Sequence, residues 1–325
     1  MKKKPLITII LCTYNRCTFL KEAIKSIQNQ SWEKLEIIVV DDGSTDQTNK
    51  YLSQIIKNDS RFRLLSQENK GYACALNIAL QHASGEYITI HDDDDRALPK
   101  KIEKQFTYLQ EHPDIDIIGC GLIIIDENSA ELKRFLFPEK HEHLVKIQHL
   151  SSPISHVWLA RKSVYNKLKE YRIDGVEDYD FLLRACSAGF RLANLPIYEM
   201  EIRTHPGNTI NALGLRQYIL KKYVYQLYKE RCEKGNDSHS RDKLNNILNV
   251  LPLWFSLYNY SRKLFMKATK IKKQNLLYYN LLVFFSSIIS PHFCALLFER
   301  YRYQKMINYY NNIEMNHKSN QEYIV

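Results

Sequence analysis

The chain has 325 residues, 45% of them hydrophobic, which is enough to bury a sizeable core and excludes a disordered chain. Its seven cysteines (Cys12, Cys17, Cys74, Cys120, Cys186, Cys232, Cys294) are odd in number and include no C-x-x-C pair, so neither a disulfide framework nor a zinc site is expected and a reducing cytosol suits them best. The net charge of +10 is lopsided: residues 1–214 carry 28 basic against 29 acidic side chains and residues 215–325 carry 18 against 7, so a near-neutral domain is expected over 1–214 and a basic region over 215–325.

Residues 6–11 form an apolar run that predicts a buried parallel strand; the run stops at Cys12 with no small-residue cleavage site, which argues against a signal peptide. Thr18 is the predicted cap of a helix whose apolar face is Leu20, Ile24 and Ile27. A second buried strand over 35–40 runs into Asp41-Asp42-Gly43-Ser44-Thr45-Asp46. There the glycine permits a tight turn and the Ser/Thr/Asp cluster can cap the next helix, marked by Tyr51, Leu52, Ile55 and Ile56. A shorter strand at 63–66 leads through Asn69-Lys70-Gly71 into a helix marked by Ala75, Leu76, Ala79 and Leu80. Three strand–turn–helix units in succession predict an α/β fold with a mainly parallel sheet flanked by helices, and a ligand crevice at the carboxyl ends of the strands.

Beyond Gly85, a strand over 87–90 runs straight into Asp92-Asp93-Asp94-Asp95, and Pro99 is placed in the first turn of a helix bearing Ile102, Phe106 and Leu109. Four adjacent carboxylates repel one another unless water, basic side chains or a metal offsets their charge, and hard oxygen ligands suit Mg²⁺ or Mn²⁺. The alternative is a solvated acidic turn. A strand follows over 115–125, then a polar, less regular connection over 126–150 whose histidines lack metal-ligand spacing, a strand over 155–161, and a helix through Val164 and Leu168. Glu177-Asp178-Tyr179-Asp180 opens an apolar helix, where acids suit the N-terminal end on electrostatic grounds alone. Arg203-Thr204-His205 is a polar turn after a short strand.

In their order, these motifs resemble those of the family 2 glycosyltransferases, an inverting group with the GT-A fold: Thr13-Tyr14-Asn15-Arg16, Val39-Val40-Asp41-Asp42-Gly43-Ser44-Thr45-Asp46, Asn69-Lys70-Gly71, Asp92-Asp93-Asp94-Asp95, Glu177-Asp178-Tyr179-Asp180 and Arg203-Thr204-His205. The resemblance implies a donor site for a nucleoside-diphosphate sugar, with Thr13, Tyr14, Asn15, Arg16, Asp41, Asp42, Asn69, Gly71, Asp92, Asp93 and Arg203 around it. Tyr14 would stack on the base and Asp42 would accept from it. It implies Mn²⁺ or Mg²⁺ held by Asp94 and Asp92 with His205, and Asp178 as general base. Arg203 and His205 would neutralise a departing diphosphate. The acceptor implied is a glycan or lipid-linked glycan of a bacterial surface polysaccharide, such as lipopolysaccharide or capsule; transfer to a polyprenyl phosphate and a non-catalytic sugar-nucleotide binding protein are the alternatives. Three features depart from the pattern: Cys12, His91, and the lack of a glycine pair before Glu177.

Residues 215–325 predict helices over 215–228 and 244–266, and the apolar stretch 276–298 approaches membrane-span length, although Asn280, Ser286, Ser287, Ser290, Pro291 and His292 interrupt it. Basic and aromatic residues beside amphipathic helices suit the anionic cytoplasmic face of a membrane, or else a subdomain that packs on the body or pairs with a second copy of the chain. No nucleic-acid-binding motif accompanies the charge, so nucleic acid is not an expected partner.

Overall fold

The apolar runs do become strands. In the computed structural model, which describes residues 4–205, 207–208, 214–249, 252–271 and 275–322, β1 (Ile7–Thr13) is buried along its whole length and pairs in parallel with β2 (Leu35–Asp41) and β4 (Tyr87–Ile90), while β3 (Phe62–Ser66) adds outside β2. Helices α1 (Cys17–Gln28), α2 (Thr48–Asn58) and α3 (Tyr72–His82) make the crossovers. Strand side chains alternate between faces. Ile7, Ile9 and Leu11 thus join Leu20, Ile24 and Ile27 of α1 in one core, while α3 packs on β1 and β2 through buried Ala75, Leu76 and Ala79.

The second half of the sheet mixes directions. β5 (Arg96–Ala97), α4 (Lys101–Glu111), β6 (Ile117–Ile125), β7 (Glu131–Phe135), α5 (His141–Ile147), β8 (Leu159–Arg161), α6 (Lys162–Leu168), α7 (Glu177–Ser187) and β9 (Leu192–Arg203) follow in order. The sheet runs β3-β2-β1-β4-β8-β6-β9-β5 with β7 paired to β6, and β8 lies antiparallel to both β4 and β6. Two details of the helix starts differ from expectation. α1 begins at Cys17 with Arg16 at its cap position, so Thr18 lies inside the first turn, and α4 begins after Pro99, at Lys101. The connection 126–150, expected to be irregular, holds β7 and α5.

The chain divides into two units, one of residues 1–148, 152–205 and 310–325, the other of 149–151 and 206–309. The second unit is helical: α8 (Leu215–Lys234), α9 (Arg241–Leu248), α10 (Pro252–Ile271), α11 (Leu276–Ile289) and the first part of α12 (Pro291–Glu322). Leu215, Tyr218, Tyr258 and Phe293 form its small core. Both long segments read from the sequence are interrupted by a proline: 244–266 is split between α9 and α10 at Pro252, and 276–298 between α11 and α12 at Pro291. Proline tolerates the first helical position, where its missing N–H is not needed, but not the interior. Among the described residues no helix is long and apolar enough to cross a membrane.

Candidate active site

The first wall of the site is built where β1 and β2 end side by side. Thr13 and Asp41 are register partners, and the next residue, Asp42, donates its backbone N–H to the Thr13 carbonyl at 2.9 Å. Asn15 takes a left-handed backbone (φ 52°), a conformation asparagine tolerates better than most residues. In that pose its side-chain oxygen accepts from the Thr45 N–H at 2.8 Å and its own N–H donates to Ser44 Oγ at 2.9 Å, tying the two loops together. Asp41 is buried, accepting from Ser44 N–H at 3.0 Å and the Asn49 amide at 3.3 Å. Asp42 is also buried and accepts from the N–H groups of Lys70 at 2.9 Å and Gly71 at 3.1 Å and from the Gln67 amide. Gly43 (φ 80°) is required here, since a Cβ would lie 2.9 Å from Asn69 N. Tyr14, by contrast, is 44% exposed beside these buried acids.

The four carboxylates at the end of β4 are each answered by a different part of the fold. Thr13 Oγ1 donates to Asp93 at 2.6 Å, and Tyr72 Oη, from α3, donates to Asp92 at 2.6 Å. Asp95 accepts the backbone N–H of Arg203 at 2.8 Å. Asp94 Oδ2 meets Arg16 Nη1 at 2.7 Å and His205 Nε2 at 2.9 Å. His91, buried beneath the turn, donates from Nδ1 to the Asp92 carbonyl at 2.8 Å, and its pKa is pushed down to about 4 by burial and by the Lys101 charge.

His156 completes the turn. In the antiparallel register of β4 and β8, Thr89 faces Leu159; carried three residues on, that register sets Asp92 opposite His156. His156 Nε2 lies 3.0 Å from Asp92 Oδ2 and 3.4 Å from Asp95 Oδ2. Burial opposes a charge on His156, but Asp92 prevails and raises its pKa well above the ordinary value. In return, against the effect of burial, His156 holds the Asp92 carboxyl well below the usual range. Asp93 and Asp95 go the other way, up to about 7, through burial and the negative charge of Asp94.

Two features of this arrangement fit a divalent cation. Arg16 Nη1, His205 Nε2 and Asp94 Oδ2 lie mutually within 2.9 Å, with Arg16 and His205 2.8 Å apart. Arginine only donates and a carboxylate only accepts, so the histidine nitrogen cannot satisfy both, and one contact of the three always sets like against like. A cation taking the place of Arg16 between Asp94 and His205 would remove that conflict. Separately, the ligand atoms of Asp92, Asp95 and His156 all lie within 4.8 Å of one another. The carboxylate donors of both sets suit a hard divalent cation by type, and both sets draw on the same acidic turn.

Glu177 and Asp178 open α7, where acids meet the positive end of the helix. Asp178 Oδ1 accepts the Tyr179 N–H at 2.6 Å. Burial, then the Asp178 charge, pushes the Glu177 carboxyl up to about 8, and Glu177 is near enough to Tyr72 to help raise its phenol pKa. The start of α3 is tied to the loop before α7 by the Ala73 N–H, which donates to Asp174 at 2.7 Å. Behind them Asp180, fully buried, is gripped by Arg172 at 2.7 and 2.9 Å and by Arg184 at 2.8 Å, which anchors the first turn.

Most of the residues expected to meet do so: Thr13, Arg16, Asp92, Asp93, Asp94 and His205 share one network, and Asp41, Asp42, Asn69 and Gly71 share the adjoining wall. Arg203 is set differently from the cation expected to face a diphosphate. Its side chain is fully buried, donating to the Asp94 carbonyl at 3.0 Å, to Glu22 at 2.7 Å and to the 126–129 loop, so it braces the acidic turn from behind. Tyr72 and His156 are not among the residues expected to form the site, and Asp95 is expected there only as one of four adjacent carboxylates; the strand register sets His156 opposite Asp92.

Comparison with known proteins agrees with this geometry. Residues 8–169 match the model described as "Glycosyl transferase family 2". An uncharacterized glycosyltransferase of Haemophilus influenzae is 34% identical over 241 residues, covering 69% of this chain and 73% of the relative. The amylovoran biosynthesis glycosyltransferase AmsE of Erwinia amylovora is 28% identical, covering 69% and 85%. Among solved structures, S. aureus TarS 1–349 in complex with UDP superposes with a TM-score of 0.57 at 20% identity over 97% of this chain and 91% of that one. The mannosyltransferase PcManGT of Pyrobaculum calidifontis, in complex with GDP-Man and Mn²⁺, gives 0.56 at 18% over 95% and 88%. The α/β sheet, the acidic turn at the end of β4 and these likenesses lead to one assignment: the chain belongs to glycosyl transferase family 2 and is a glycosyltransferase of the GT-A fold.

Proposed function

We propose that the chain is a metal-dependent inverting glycosyltransferase that moves a sugar from a nucleoside diphosphate, a UDP-sugar in the first instance, onto a hydroxyl of a glycan or lipid-linked glycan. The observation that carries this reading is the convergence on the acidic turn of Thr13, Arg16, Tyr72, His156 and His205 from four separate segments. Tyr14 and Asp42, with Asp41, Asn15, Asn69 and Gly71 shaping the loops around them, hold the base and ribose. The binding of UDP by TarS and of GDP-Man with Mn²⁺ by PcManGT supports a sugar nucleotide as donor. Asp92 and Asp94 with His205 would hold Mn²⁺ or Mg²⁺, which supplies fixed positive charge against a departing diphosphate. Arg16 adds charge from the protein, and Arg203 keeps the turn in place from behind. Asp178 takes the proton of the acceptor hydroxyl as that oxygen attacks the anomeric carbon from the side opposite the diphosphate, which inverts the configuration. No covalent intermediate is needed. The setting we propose is surface polysaccharide synthesis at the cytoplasmic side of a membrane, in keeping with the relative named for amylovoran biosynthesis.

The spacing of Asp92, Asp95 and His156 favours a second reading of the metal site alone, with the ion held by those three. Thermal stabilisation by UDP, GDP, CDP and dTDP, with and without Mn²⁺, tests both, because a ligand of the folded state raises its apparent stability. One nucleotide is expected to stabilise the protein only with metal, and Asp94→Ala and His205→Ala to lose that effect. Loss in His156→Ala with retention in His205→Ala moves the ion to the second triad. A complete lack of nucleotide stabilisation ends the donor reading.

A further inference from the structure

Helix α11 is turned inside out. Its buried side includes Ser286 and Leu282, whereas Leu277, Leu281, Phe284 and Ile288, spaced to share one face, are 73%, 45%, 58% and 61% exposed, with Phe285 beside them at 51%. Water-soluble helices place such residues inward, and a contiguous apolar face of this kind marks a surface with a partner. The helix has 14 residues and no charged one. At 1.5 Å per residue it is about 21 Å long, short of the roughly 30 Å hydrocarbon core, so it can lie in a bilayer surface but not span it.

The neighbouring helices narrow the choice of partner. α10, packed against α11, carries Arg262, Lys263 and Lys267 and not one acid, and exposes Tyr260 and Met266 among them. α12 exposes Phe298 and Tyr301, with the Arg302 guanidinium 5.9 Å from the Phe298 ring centre. A second copy of this chain docking through the same face would bring three cations per subunit against their own equivalents, since a two-fold interface joins identical patches. Phospholipid headgroups of negative charge meet the same three cations favourably while the acyl boundary takes the leucines and phenylalanines.

We propose that the α10–α11 hairpin is a membrane-docking surface in which the Leu277/Leu281/Phe284/Phe285/Ile288 face enters the interface of an anionic phospholipid bilayer and the lysines of α10 bind its headgroups. This deepens the peripheral setting proposed above, yet it stands apart from the chemistry of the donor site. Tyrosines of α10 and α12 suit the headgroup level, where their apolar rings and polar tips are both satisfied.

The test is co-sedimentation of the full chain with phosphatidylcholine vesicles, with and without phosphatidylglycerol, alongside nucleotide-induced thermal stabilisation of the same samples. Binding should need the anionic lipid and weaken as salt rises, and Phe284→Asp with Phe285→Asp should lower vesicle affinity by about tenfold or more while leaving nucleotide stabilisation intact. Lys263→Glu with Lys267→Glu should also weaken binding to anionic vesicles. Both pairs are exposed, so the fold tolerates them, and an unchanged melting temperature verifies this. Failure of the native chain to sediment with anionic vesicles overturns the proposal whatever the nucleotide does. So does a native dimer that Phe284→Asp with Phe285→Asp converts to monomer with vesicle binding unaltered. Vesicle binding without any nucleotide stabilisation would leave the docking surface standing and remove only the donor reading.

Discussion

The acidic turn and helix α11 spend stability in opposite ways. The turn buries charge: Asp93, Asp94 and Asp95 are all less than a tenth exposed, and each is met by hydrogen bonds from distant segments. α11 leaves apolar surface in water, most of all at Leu277, 73% exposed. Both arrangements are poor choices for a protein that needs only to fold, because desolvated carboxylates and exposed phenylalanines each cost free energy. On the readings proposed above, the difference lies in what would remove the cost: a cation in the first region, an apolar boundary in the second.

The contrast can be broken at four levels of effect. Asp178→Asn, if the first region is organised for chemistry, should lower sugar transfer by about 10²- to 10⁴-fold, with nucleotide stabilisation kept; near-native turnover would take Asp178 out of its role. Next is stability: Asp180→Ala strands the Arg172 and Arg184 guanidiniums in the interior, and a loss of about 3–5 kcal/mol is expected in denaturant unfolding, because breaking a buried ion pair leaves an uncompensated charge. A change below about 1 kcal/mol would mean that water reaches the pair.

Of comparable size is the pH dependence from Glu177. Its carboxyl is raised from 4.5 to about 8 in the folded chain, so between those values the folded state holds a proton that the unfolded state has lost. Its contribution is fully present below pH 4.5 and declines as pH rises to about 8. Glu177→Gln should therefore flatten the fall of melting temperature between pH 5 and pH 8, and an unaltered slope would assign it to other groups. Smallest is Leu277→Ser on α11, expected to shift stability by less than about 0.5 kcal/mol, as for a side chain that leaves water on neither folding nor unfolding. A larger loss would show that the face is covered in solution.

What the sequence displayed was local. The apolar runs of β1, β2, β4 and β6 and the glycine at 43 announce themselves, because burial and a positive φ act residue by residue. β5, of two residues, and β9, which continues through Pro196, have no such signature. His156 lies 64 positions from Asp92, and nothing near it in the sequence hints at a partner; the pairing follows from β8 running antiparallel to β4. Arg203 is the converse, a recognisable motif residue whose guanidinium is consumed by Glu22 and by carbonyls that only the folded loop brings to it. The prolines at 252 and 291 were visible, but helical periodicity on either side masked their effect.

Glu314, near the end of α12, belongs to the first unit, where it accepts the N–H groups of Glu139 at 2.8 Å and Lys140 at 3.1 Å and meets His143 at 2.5 Å, while Tyr310 stacks on the His143 ring. The first unit is thus interrupted in sequence by 206–309 and lacks this acid until the interruption has been translated. Chains emerge from the ribosome N-terminus first. The N–H groups of Glu139 and Lys140 can therefore gain this acceptor only after residue 314 has been made.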